Sequence, residues 1–247
     1  MKRQTLGWVV VLVVAGVFVR LGFWQISRLH EREASNHQIE TNLRATTAPL
    51  AEIIALGGDL EYRHVTATGE YVPQFEVLLR NRSYEGQPGY HVLTPLALSS
   101  GGTVLIDRGW VPLAVGDAQG QPPPPEGTVR VEGVIRASKH AGSGLGPKDP
   151  ATGALTAVFW PDLDRLAAQM PGSLVPVYLE LRSQVPGGDG EQPIPATDPV
   201  LTNGPHLSYA IQWFAFSMIS LVGYWILTHR RHERRTDRVL GDSPPSR

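Results

Sequence analysis

Two apolar blocks at opposite ends of the chain constrain its fold more than any other feature. The first is Leu6–Trp24, 19 residues with one charge, Arg20; the second is Leu207–Thr228, 22 residues with none. At 1.5 Å rise per residue the first is about 28 Å long as a helix, close to the ~30 Å hydrocarbon core of a bilayer. Trp8 and Trp24 mark its two ends, as interfacial aromatics do. Arg20 sits near one end, where a long side chain reaches the headgroups. A cleaved signal peptide is the rival reading. No small-x-small cleavage site follows the block, which continues Phe23-Trp24-Gln25-Ile26, and this favours an uncleaved anchor.

The charges divide along the same lines. Overall, 22 Lys and Arg stand against 23 Asp and Glu in 247 residues. Residues 27–206 hold 13 of the basic and 20 of the acidic residues, so an acidic middle is bracketed by basic ends. Arg230, Arg231, Arg234 and Arg235 directly follow the second block, whereas Gly187–His206 contains no Lys or Arg. That asymmetry orients the second helix with its C-terminal end in the cytoplasm. The first helix is less decisive, because Arg28 and Arg32 oppose Lys2 and Arg3, but two crossings put both ends on one side. The expected organisation is a cytoplasmic N-terminus (1–5), a transmembrane helix (6–26), an extracytoplasmic domain (27–206), a second transmembrane helix (207–228) and a basic cytoplasmic tail (229–247). No global basic field exists, so nucleic acid is excluded as a partner, and membrane lipid is expected. Cysteine is absent, which excludes a disulfide scaffold, a thiolate metal site and cysteine-based copper delivery.

The middle is large enough for one core. Ser27–Arg44 is polar and rich in helix formers, continuing the first helix, and a short helix is predicted at Leu50–Leu56. Val65, Ala67, Gly69 and Tyr71 then alternate with polar residues, the period of a strand. Further strands are predicted at Glu76–Asn81, Tyr90–Leu96, Thr103–Trp110, Val129–Ile135, Leu155–Phe159 and Val175–Leu181, with one helix at Asp162–Met170. Pro122–Pro125, His140–Pro150 and Pro186–Pro199 read as loops, the last as a tether into the second membrane helix. The fold class is therefore an α+β membrane protein: two transmembrane helices flanking a mostly antiparallel β domain, sheet or barrel, with small helices.

Few residues read as chemistry. Gly142-Ser143-Gly144-Leu145-Gly146 lacks the Gly-Lys-Ser/Thr ending of a phosphate loop and reads as a flexible loop. Asp107-Arg108 closes an apolar strand and reads as a buried structural pair. His64 and His91 lie on predicted strands with no acidic partner at ligand spacing. No nucleophile elbow or zinc-protease motif occurs, so an enzyme is not expected. His206 differs. At 100° per residue, Tyr209, Trp213, Ser217, Ser220 and Tyr224 fall within about 60° of it on one helical stripe, opposite Ile211, Met218, Ile219 and Val222. A polar-aromatic stripe in a membrane faces protein or a cofactor. Helix geometry leaves both open, with packing on the first helix the plainer of the two.

Several segments, in order, resemble the surfeit locus protein 1 family of cytochrome c oxidase assembly factors. They are Leu21-Gly22-Phe23-Trp24-Gln25 with Arg28; Tyr62-Arg63-His64-Val65; Gly89-Tyr90-His91-Val92-Leu93-Thr94-Pro95-Leu96; Val104-Leu105-Ile106-Asp107-Arg108-Gly109-Trp110-Val111-Pro112; Val131-Glu132-Gly133; and His206-Leu207-Ser208-Tyr209-Ala210-Ile211-Gln212-Trp213-Phe214. The resemblance implies help in building subunit I of a haem-copper oxidase around haem a, with subunit I as partner and haem a synthase as a further one. It implies His206 as a haem iron ligand, with Tyr209 and Trp213 beside the macrocycle. Arg20 and Arg28 are the cations available to the propionates. The alternative is a scaffold that holds subunit I without touching haem. The N-terminus does not read as a transit sequence, so the expected location is a bacterial plasma membrane.

Overall fold

The computed structural model describes residues 2–142, 146–188, 190 and 192–240, the side chains of residues 2, 3 and 231–240 excepted. Ser143, Gly144 and Leu145 of the glycine-rich loop lie outside the described residues, as do the side chains of Arg231, Arg234 and Arg235. The chain divides into two compact units, residues 1–37 with 201–247, and residues 38–200.

The first unit holds the two apolar blocks. α1 (Lys2–Arg44) is one helix of 43 residues whose polar second half continues the apolar first, as the sequence predicts, and α5 (His206–Leu240) is the other. Both are long and apolar enough to cross a membrane. Within this unit they pack antiparallel. Tyr224 Oη donates to Gln4 O, Ser217 Oγ to Ala15 O, Phe18 stacks on Trp213, and Asn36 Nδ2 donates to Thr202 O. The α1 residues in contact, Trp8, Ala15, Phe18, Gly22, Gln25 and Asn36, are spaced 7, 3, 4, 3 and 11 apart, each a sum of threes and fours, so they share one helical seam. Ile211, Met218, Ile219 and Val222 point outward from α5.

The second unit is a β domain. Its strands are β1 (Ala48–Pro49), β2 (His64–Tyr71), β3 (Val77–Tyr84), β4 (Gln87–Leu98), β5 (Thr103–Pro112), β6 (Thr128–Ala137), β7 (Ala157–Val158) and β8 (Leu174–Val185). Three short helices join them: α2 (Leu50–Leu56), α3 (Leu113–Asp117) and α4 (Leu163–Ala167). The order is β1-β2-β6-β8-β5-β4-β3-β7, with β2 also pairing β4. That additional pairing closes β2, β6, β8, β5 and β4 into a five-membered ring, so the domain is a small barrel rather than an open sheet. The mostly antiparallel expectation holds for β2–β6, β3–β4, β4–β5 and β6–β8. It needs correction at β5–β8, β1–β2 and β3–β7, which run parallel, so the sheet is mixed.

Burial follows the pleat. Along β2, Val65, Ala67, Gly69 and Tyr71 are buried and their neighbours are not, the alternation visible in the sequence. β5 is buried on both faces because two layers cover it. Val104 and Ile106 join the cluster that includes Leu96, Val131 and Leu179, capped by Leu50 and Ile53 of α2. Leu105 joins a second cluster, with Leu163 and Leu166 of α4. α4 starts where Asp162 caps it by accepting from Arg165 N.

The stretch 186–199, predicted as a loop and little else, is tied to the barrel: Asp198 accepts from the Arg182 guanidinium at 3.0 Å, and a backbone bridge lies upstream of it. Ile194 bridges Trp110 with reciprocal backbone hydrogen bonds of 2.8 and 2.9 Å. Gly109 makes this possible: at φ +124 it has a backbone that side chains avoid, and a Cβ there would strike the Ile194 carbonyl.

Candidate functional site

His206 opens α5, and its position comes from the turn before it. Asn36 and Arg32 of α1 both donate to Thr202 O, and Asn36 Nδ2 also donates to Asn203 Oδ1. Those bonds set residues 202–203 against α1, Gly204 turns the chain with φ +65, and the helix starts at His206. The half-buried imidazole donates from Nδ1 to Gln25 Oε1 at 2.9 Å. With the Gln25 carboxamide oxygen as acceptor, Nδ1 is the donating ring nitrogen, and Nε2 has no hydrogen-bond partner among the described residues.

The other residues of the stripe divide. Trp213 is packed, stacked on Phe18 at 5.6 Å between centroids and edge-on to Phe216 at 6.0 Å. Ser217 is buried against Ala15 O, and Tyr224 meets Trp8 edge-on at 4.8 Å. Tyr209, one turn after His206, is 46% exposed and lies at the margin of the packed face. Ser220 bonds to its own helix at Phe216 O. On α1, Arg28 is one turn from Gln25 and pairs with Glu31. Arg20 is exposed and lies about 140° round the helix from Gln25. So His206 meets Gln25 directly, Arg28 lies one turn along α1 and Tyr209 one turn along α5, Trp213 is engaged in packing, and Arg20 faces elsewhere.

Gln25 is the residue that sequence reasoning passed over. It stands inside the quoted Leu21–Gln25 segment, but nothing in spacing alone pairs it with a histidine 181 positions away.

The β domain holds a buried polar network of its own. Asp107 and Arg108 are both only 3% exposed, yet they are not a pair. As neighbours on a strand they face opposite sides. Asp107 accepts from His91 Nδ1 at 2.8 Å and from Gly109 N at 3.1 Å. This corrects the expectation that His91 lacks an acidic partner: register, not sequence spacing, brings them together across β4 and β5. Arg108 lies over the Tyr71 ring and pairs with Glu76 at 3.4 Å. Burial lowers its pKa and Glu76 opposes the fall, while burial holds the Tyr71 and Tyr178 phenols well above their ordinary value. Every charge here has a partner inside the domain; Arg108 and Glu76 each line a small cavity, of about 310 and 380 Å³, and the pairing marks the network as structural. Among the described residues one His-carboxylate grouping is close enough to hold a cation, His140 with Asp162 and Asp164, and it is exposed and already paired.

The SURF1 family model matches residues 12–218, covering the β domain and the α5 stripe as far as Ser217. The chain belongs to the SURF1 family. An uncharacterized SURF1-like protein of Mycobacterium tuberculosis is 32% identical over 98% of this chain and 90% of its own length. A SURF1-like protein of Monosiga brevicollis is 29% identical over 96% of this chain and 92% of its own, and one of Rickettsia felis 26% over 90% and 96%. SURF1 proteins are cytochrome oxidase assembly factors rather than enzymes, and relatives in mycobacteria and Rickettsia are consistent with a bacterial member.

Proposed function

We propose that this SURF1 chain is a membrane-anchored assembly factor that binds haem a through His206 and assists its insertion into subunit I of a haem-copper oxidase. The observation that carries the reading is the Gln25–His206 hydrogen bond. A ligating histidine usually donates its second ring nitrogen to a fixed acceptor, which sets tautomer and ring orientation. The donor set fits: one imidazole whose Nε2 has no partner among the described residues, no competing thiolate, and exposed tyrosine surface one turn away. Haem would supply an iron that accepts this lone pair. Tyr209 would flank the macrocycle, Trp213 would hold the helix in place from behind, and Arg28, exchanging Glu31 for a propionate, is better placed than Arg20.

In this reading residues 6–26 and 207–228 span the bacterial plasma membrane, and residues 27–206 lie outside the cytoplasm with both termini inside. Subunit I is the client, and haem a synthase a partner that hands the cofactor on.

A second reading rests on the packing of the stripe. Trp213, Ser217 and Tyr224 are already satisfied by α1, as in a helix pair that presents a surface to subunit I without haem. Purification of wild type and His206→Ala from membranes of cells that make haem a separates the two. The expected result is a haem spectrum in wild type and at least a tenfold loss in His206→Ala at equal membrane abundance. Full haem absorbance in the variant removes the ligand assignment, and absence of haem from wild type leaves the scaffold.

A further inference from the structure

One cavity of the β domain shares no lining residue with the buried charge network. It has a volume of about 840 Å³, against 310 and 380 Å³ for two others, and lies between α2, the β4–β5 turn and the start of β8. Ligand pockets of ~300–1,000 Å³ with apolar walls and few polar groups are the common kind. Leu50 and Ile54 of α2, Leu98, Leu174 and Val175 form the wall. Ile54, Leu98 and Val175 pack against the barrel core yet stay partly exposed, so the core is left open on this side.

Its charge is one-sided. Arg130 lines the cavity, and no Asp or Glu does so among the described residues. Arg108, Arg136 and Arg182 of the same domain are each paired with carboxylates, whereas Arg130 makes no ion pair there. Thr66, Thr68 and Ser99 add hydroxyl groups beside it. An apolar wall with a single unneutralised guanidinium complements a molecule with an apolar body and one anionic head. A lone guanidinium matches a carboxylate with two parallel N–H···O bonds, whereas a phosphate dianion calls for more positive charge. We propose that this cavity binds a single-chain amphiphilic carboxylate, its hydrocarbon against Leu50, Ile54, Leu98 and Leu174 and its head on Arg130. The site is separate from His206 and does not depend on the haem reading.

The test uses the full chain in phosphatidylcholine nanodiscs and a palmitate carrying a photoreactive diazirine on its chain. After irradiation, labelled peptides are mapped by mass spectrometry. Label is expected on segments 50–54, 98–102 and 173–176. Palmitate should compete for it, and hexadecanol, with the same chain and no charge, about tenfold less well. Arg130→Gln, an exposed change that leaves the fold intact, should lower cavity labelling by a similar factor, and Ile54→Trp, which fills the space, should abolish it. The proposal fails if label is confined to α1 and α5, if hexadecanol competes as well as palmitate, or if Arg130→Gln changes nothing. A lysophosphatidate of equal chain length competing better than palmitate overturns the carboxylate head.

Discussion

The carboxylate of Glu76 accepts from Thr94 Oγ1, from Gln121 Nε2 and from the Arg108 guanidinium, so one side chain neutralises the most deeply buried cation of the β domain. Glu76→Gln keeps the shape and removes the charge. Breaking a buried pair from one side costs about 3–5 kcal/mol, and chemical denaturation of the variant should show a loss near the lower figure, with the spacing of the 3.4 Å pair against it. A loss below about 1 kcal/mol would mean water reaches Arg108. At the surface, the hydrogen bond to Asp162 raises the pKa of His140. A histidine raised on folding contributes stability that is complete below its unfolded value, about 6.5, and is lost as pH rises through the folded value. The His140 ring should therefore titrate above 6.5 by NMR, and Asp162→Asn should bring its midpoint down; equal midpoints would dissolve the pair. Of these residues the sequence displayed His206 and the Asp107-Arg108 step, because a stripe and a motif are local. It hid Glu76, Gln25 and the His91–Asp107 pair, whose partners are set by strand register or by helix packing over long separations.

Gly22 and Ala15 let α1 and α5 approach: a Cβ on Gly22 would strike the Phe214 ring, and Ser217 Oγ reaches Ala15 O at 3.1 Å. In a bilayer such close packing, rather than a hydrophobic drive, holds helices together. The chain has no cysteine, so the double variant A15C/S217C reports this contact without background. It should form a disulfide on mild oxidation, and adding Gly22→Ile should slow its formation several-fold; an unchanged rate would show that close approach is not needed. Local signals found the elements well. α2 lies where proline and apolar spacing put it, at Leu50–Leu56, and all the longer strands are present. Leu155–Phe159 shrank to β7, because only Ala157 and Val158 reach a partner strand. α3 and a 3-10 turn at Pro73–Phe75 were not foreseen, since five and three residues are too few for a periodic pattern. The parallel pairing of β5 with β8 was illegible, for it joins residues about seventy apart and leaves no trace in either strand's own pattern.

At the scale of the molecule the charge split predicts topology. A reporter active only outside the cytoplasm should work when fused after residue 120 and fail after residue 240; the reverse would overturn the orientation and with it the proposed place of His206 at the outer face of the membrane. The ring also dictates an order of events during synthesis. β8 sits between β5 and β6, and it is the last strand made. Until residues 174–185 have left the ribosome, β5 and β6 stand apart as two long, unpaired, apolar edges, the kind that recruit other chains. Only then does the ring seal, and α5, which begins 21 positions after β8 ends, follows it. A chain stopped short of Leu174 has neither a closed barrel nor the helix that bears His206, so an unfinished copy is sticky and useless together, and a membrane protease that seizes exposed strands would clear it without needing to recognise anything else.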